Sequence, residues 1–127
     1  MAALLENDVV ARASLRAPGL RITSAITLAE ADRAILRART TGRVSDAQAR
    51  AAARSVRAFE RRVDVITVTD AILTRARRPF PVEPIRTLDA IHLASIEILG
   101  SPPDVTTVVT RDERVRANAR ALGYAVE

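Results

Sequence analysis

The chain contains no cysteine, which excludes disulfide scaffolds, thiolate metal sites and cysteine nucleophiles and suits a reducing cytoplasm. Lysine is absent too, so all 20 basic side chains are arginine, set against 15 acids for a net charge of +5. That surplus favours an anionic partner, nucleic acid above all, because the guanidinium holds its charge and pairs bidentately with phosphate. Aromatic residues are confined to Phe59, Phe80 and Tyr124, too few and too scattered for the stacking platforms by which many single-strand binders hold bases. An RNA contact would therefore rest on phosphate. The four glycines, Gly19, Gly42, Gly100 and Gly123, form neither a P-loop nor a dinucleotide pattern. No segment approaches the roughly 20 apolar residues that cross a bilayer, and no basic leader precedes a long apolar run, so no membrane role is expected.

What is present is a 48% hydrophobic composition over 127 residues, enough for one domain, residues 1–127, with a real core. Residues 1 to about 17 space Leu4, Leu5, Val9, Val10 and Leu15 as an amphipathic helix ended by Pro18 and Gly19. A short strand is predicted over 20–24 and a helix from 26 to about 40. Ser45 with Gln48 makes a capping box that opens an alanine-rich helix to about 61, with Ala52, Val56 and Phe59 inward. A β-branched strand over 63–68 follows, then a short helix from an Asp70 N-cap to about 78. The prolines at 79, 81 and 84 make a structured loop. Residues 87–99 form the most apolar helix, closed by Gly100, and 105–110 a strand apolar on both faces, as buried parallel strands are. A helix over 112–122 and a strand from Tyr124 complete the pattern. Strands alternating with helices imply an α/β sandwich with a mainly parallel sheet. Arginine clusters such as Arg50, Arg54 and Arg57, or Arg75, Arg77 and Arg78, fall on helix faces, where a solvated surface is the ordinary explanation.

Three acids, Glu30, Asp89 and Asp112, stand near the front of helices that follow a strand or loop. Carboxylates at that topological position can converge at the carboxyl edge of a parallel sheet. Each also has a local explanation. Thr27-Leu28-Ala29-Glu30 matches a capping box, Asp89 suits the dipole of its helix, and Asp112 can be an N-cap. Asp89 lies in an otherwise apolar helix and Asp112 at the exit of an apolar strand, settings that favour a compensating cation. A convergent trio makes most sense around a hard, oxygen-seeking ion such as Mg²⁺ or Mn²⁺. His92, the one histidine, reads as a hydrogen-bonded core residue rather than a ligand.

Three segments together resemble a PIN-domain ribonuclease of the VapC toxin type: 22–30 with Arg33 and Ala34, then 86–94, then 109–112 followed by 119–123. The likeness spans about residues 20 to 127. It implies a PIN-like three-layer sandwich, a mainly parallel sheet flanked by helices, in which Glu30, Asp89 and Asp112 are the metal and catalytic residues. Thr110 is then the small polar residue beside the last acid, and Arg86 and Arg111 can grip neighbouring phosphates or serve as surface charges. The resemblance further implies an RNA substrate, Mg²⁺ or Mn²⁺ as cofactor, a small antitoxin partner and a homodimer.

The departure from the family pattern lies at the front. The family's first strand and first acid have no counterpart, so the domain reads as N-terminally truncated; Glu6 and Asp8 sit in the predicted helix and do not fill the place. A start assigned too far downstream is one account, and a genuinely shortened, inactive domain is the other. The competing functions are a metal-dependent endoribonuclease toxin, a catalytically silent PIN-like domain that binds RNA or protein through its arginines, and a small metal-dependent phosphatase or DNA nuclease using the same ligands.

Overall fold

Ser24 ends a strand and starts a helix at once, and that economy sets the geometry of the first unit. The computed structural model describes residues 19–100 and 102–127; the helix expected over 1–17, with Glu6 and Asp8, lies outside them. The chain divides into two compact units, Met1–Thr67 and Val68–Glu127.

In the first unit, strand β1 (Ile22–Ser24) runs directly into helix α1 (Ala25–Thr40), with the Ser24 hydroxyl accepting from the Ile26 amide at 3.3 Å. Thr27 is thus inside the helix, so the capping box expected at Thr27 and Glu30 does not form; Ser24, at the strand's end, takes the first orphan amide instead. Gly42 turns the chain with φ of +72°, a conformation that costs glycine little. Helix α2 (Asp46–Glu60) opens with the expected box: Ser45 Oγ accepts from Gln48 N at 3.1 Å and Gln48 Oε1 from Ser45 N at 2.8 Å. Ala31 and Ile35 of α1 meet Ala49 and Val56 of α2 in a buried cluster, flanked by Leu28, Val44, Ala52 and Ala53. The small alanines let the two helices approach closely. Strand β2 (Asp64–Ile66) then pairs parallel with β1, Thr23 opposite Val65, and is shorter than the 63–68 expected.

In the second unit, helix α3 (Asp70–Ala76) is capped by Thr69, whose hydroxyl accepts from Ile72 N at 3.3 Å, rather than by Asp70. The proline loop is tied by one side chain: Glu83 accepts from Phe80 N at 3.0 Å and from Ile85 N at 2.9 Å. Helix α4 (Thr87–Leu99) matches its expected bounds, buries Leu93 and Ala94 completely, and ends at Gly100 with φ of +68°. Helix α3 packs against it, as does helix α5 (Glu113–Ala121). Strands β3 (Thr107–Val108) and β4 (Ala125–Val126) pair parallel, and bonds from Thr110 N to Glu127 O and from Glu127 N to Val108 O, both 3.0 Å, extend the ladder.

The strand expected over 105–110, buried on both faces, is not what forms. A 3-10 turn over Pro103–Val105 consumes its start, held by Thr106 Oγ1 donating to Pro102 O at 2.8 Å. Val105 is 74% exposed and Val109 42%, leaving Val108 as the buried position. Pro103 at the first position of that turn has a φ already suited to helical geometry and no N–H to give to a strand ladder.

Arg75 also departs from a solvated surface residue. Its Nη1 donates to Arg78 O at 3.3 Å and Pro79 O at 3.4 Å, its guanidinium lies 3.9 Å over the Phe80 ring, and its Nε is 2.7 Å from Glu97 Oε2. Among the described residues no helix is long and apolar enough to cross a membrane.

Candidate functional site

The acid loop that follows β3 is fixed by backbone chemistry on every side. Asp112 is the N-cap of α5, its Oδ1 accepting from Arg114 N at 2.8 Å and Val115 N at 3.1 Å. Its own amide donates to Thr110 Oγ1 at 3.1 Å. Thr110 is held in turn: its N–H donates to Glu127 O, and its carbonyl accepts from Arg116 Nη2 at 2.9 Å. The last acid therefore stands at the carboxyl end of a parallel strand, where α/β folds place their ligands, with one carboxylate oxygen anchored to the helix. The strand exit that places it there is short, and Asp112 itself is half-buried.

Asp89 is the third residue of α4 and is 9% exposed. Its Oδ2 accepts from Arg86 N at 3.3 Å, a reach back to the N-cap amide that stabilises the helix start and suits the positive end of the helix dipole. Arg86 contributes that amide while its side chain is exposed; Arg111 is exposed as well. His92, one turn on, is half-buried. Within the second unit, then, Asp89 and Asp112 sit at the N-terminal ends of two helices that pack together.

Glu30 lies in the first unit, in the second turn of α1 and half-buried. Among the described residues, no three of His, Cys, Asp and Glu gather as a group that could hold a metal ion. The donor chemistry of Asp89 and Asp112 nevertheless fits a hard cation: carboxylate oxygens, each residue anchored through one oxygen by backbone amides.

Two positioning residues escape the sequence reading. Asn118 is completely buried and clamps the peptide of Val82 in both directions, accepting from its N–H and donating to its carbonyl, each at 2.8 Å, while donating to Arg114 O at 3.0 Å. The clamp ties α5 to the proline loop that leads into α4. Its signal was present, since Asn118 shares the inward spacing of Val115, Ala119 and Leu122. Arg116, which holds the Thr110 carbonyl, has no feature in the sequence that separates it from a surface charge. At the far end of α4, burial and the nearby Glu97 carboxylate push the Tyr124 phenol above its usual value of 10.0.

The PIN domain family matches residues 2–121. Ribonuclease VapC35 of Mycobacterium tuberculosis is 36% identical over 105 residues, covering 83% of this chain and 70% of that protein. Ribonuclease VapC46 of the same organism is 36% identical over 121 residues, covering 95% of this chain and 82% of that protein. No solved structure matches the chain.

Proposed function

This chain belongs to the PIN-domain family, and from that premise we propose that it is a divalent-metal-dependent endoribonuclease, the toxin of a type II toxin-antitoxin pair. The observation that carries the reading is the 36% identity to ribonucleases over 83% and 95% of the chain. The rigid anchoring of Asp89 and Asp112 supports it. A small antitoxin protein, a homodimeric state and a cytoplasmic location belong to the same proposal.

Asp89 and Asp112, with Glu30, would hold Mg²⁺ or Mn²⁺, and the cation would polarise the scissile phosphate and lower the pKa of the attacking water. The carboxylates hold rather than attack. Backbone amides fix one oxygen of Asp89 and one of Asp112, so neither side chain needs to reorganise on binding. Thr110 orients the acid loop through the Asp112 amide. The exposed guanidiniums of Arg86 and Arg111 are suited to gripping phosphates that flank the cleaved bond.

Purified protein should cut structured RNA in Mg²⁺ or Mn²⁺ and lose that activity with EDTA or in Asp89→Ala. Folded Asp89→Ala protein that cuts RNA as fast as the parent would sink the proposal. The second reading is a catalytically silent PIN-like domain that binds RNA or a partner protein through its exposed arginines. That reading expects salt-sensitive RNA binding with no cleavage in either metal.

A further inference from the structure

Helix α2 carries a row of arginines that the candidate chemistry does not use. Arg50, Arg54, Arg57 and Arg61 are all exposed. At 3.6 residues per turn their spacing of four, three and four puts them within about 60° of one another on the helix, extending over roughly 16 Å. The row lies about 120° round the helix from the face that buries Ala49 and Val56 against α1. Arg61, the C-cap residue, keeps helical geometry with φ of -69° and so continues the row. Among the described residues none of the four enters an ion pair; Asp46, the acid nearest the row's start, points instead to Arg39 at 3.9 Å.

We infer that this arginine row is an RNA-binding surface that engages the phosphodiester backbone along one strand, independently of base identity. The inference rests on the ribonuclease reading for its choice of RNA. Three further facts favour a phosphate partner. The charges are all guanidinium, the side chain best matched to phosphate oxygens. The scaffold beneath them is stiff, a capped and alanine-rich helix, so little order must be imposed on binding. Stacking is a poor alternative, because Phe80 and Tyr124 are buried and Phe59 is half-buried.

The test compares the parent with R50Q/R54Q/R57Q/R61Q, glutamine being a good helix former that leaves the inward face of α2 intact. Binding of a fluorescein-labelled, mixed-sequence single-stranded RNA is followed by anisotropy in EDTA across a salt series, and cleavage is measured separately with Mg²⁺. Circular dichroism confirms that the variant is folded. Each phosphate contact contributes about 0.7 to the slope of log affinity against log salt on a single strand. Loss of the row should therefore flatten the slope by up to about 3 and weaken binding at least about tenfold at roughly 0.1 M salt. In cleavage it should raise KM and leave kcat unchanged.

A variant that binds RNA with the parent's affinity and slope overturns the inference, whether or not the parent cleaves. If the variant instead loses only binding to polyglutamate, the row is a surface for acidic protein and the inference is again overturned. A parent that binds RNA through the row yet never cleaves upholds the inference while defeating the nuclease reading.

Discussion

Asp112 serves its helix and its candidate chemistry with the same carboxylate, and the two roles can be separated by one atom. Its Oδ1 satisfies the amides of Arg114 and Val115, a duty that asparagine performs about as well as aspartate at an N-cap. Asparagine lacks the charge that a hard cation needs. Asp112→Asn should therefore keep its stability within about 0.5 kcal/mol of the parent while RNA cleavage falls about 100-fold or more. Asp112→Ala should lose the activity and also about 1 kcal/mol of stability, because two helix amides lose their acceptor. Thermal unfolding beside RNA cleavage checks both. An Asp112→Asn protein of full activity would assign the residue to capping alone.

At the scale of elements, α5 is the part of the second unit that organises its neighbours. Asn118→Ala strips the Val82 peptide of a donor and an acceptor and leaves a gap at a position with no exposure. Three lost hydrogen bonds, two of them to the Val82 peptide and one to Arg114 O, plus the void, should cost about 2–4 kcal/mol. A lower denaturant midpoint at unchanged slope is the expected reading; a midpoint shift below about 0.5 kcal/mol equivalent would show that the loop closes without the clamp. The same elements show what a sequence makes legible. Helix α4 was readable because a dense apolar run ends at a glycine, and α2 because Ser45 and Gln48 announce its start. The capping box weighed as a local explanation of Glu30 does not form, since nothing in Thr27-Leu28-Ala29-Glu30 reveals that Ser24 has already begun the helix. The strand expected over 105–110 is shorter in the structure, because its apolar residues suit a buried strand while the turn over Pro103–Val105 takes its start. For the candidate site, the positions of Asp89 and Asp112 at helix starts were legible. The inward position of Asn118 was legible from its spacing, but its bonds to Val82, 36 residues away, and the bond of Arg116 to the Thr110 carbonyl were not, because local spacing does not name a side chain's backbone partner.

For the whole molecule, the net charge of +5 and the proposed cation site make different claims on added salt. Screening of mutual arginine repulsion should stabilise the fold with any electrolyte, whereas a cation held by carboxylates acts only through its own binding. The two are distinguishable by thermal unfolding in MgCl₂ and in KCl of equal ionic strength. A divalent ion that binds the native state alone adds about 1.4 kcal/mol of stability when present at tenfold its dissociation constant. That increment should appear in the parent with MgCl₂ and vanish in the Asp89→Asn, Asp112→Asn double variant, in which both backbone-anchored acids keep their hydrogen-bond acceptors and lose their charge. KCl should shift the variant at least as much as the parent, since the loss of two carboxylates raises the net charge that salt screens. Equal shifts by both salts in the parent would mean that these carboxylates are helix caps and nothing more, and the cation would have to be dropped from the proposed chemistry even if RNA is still bound.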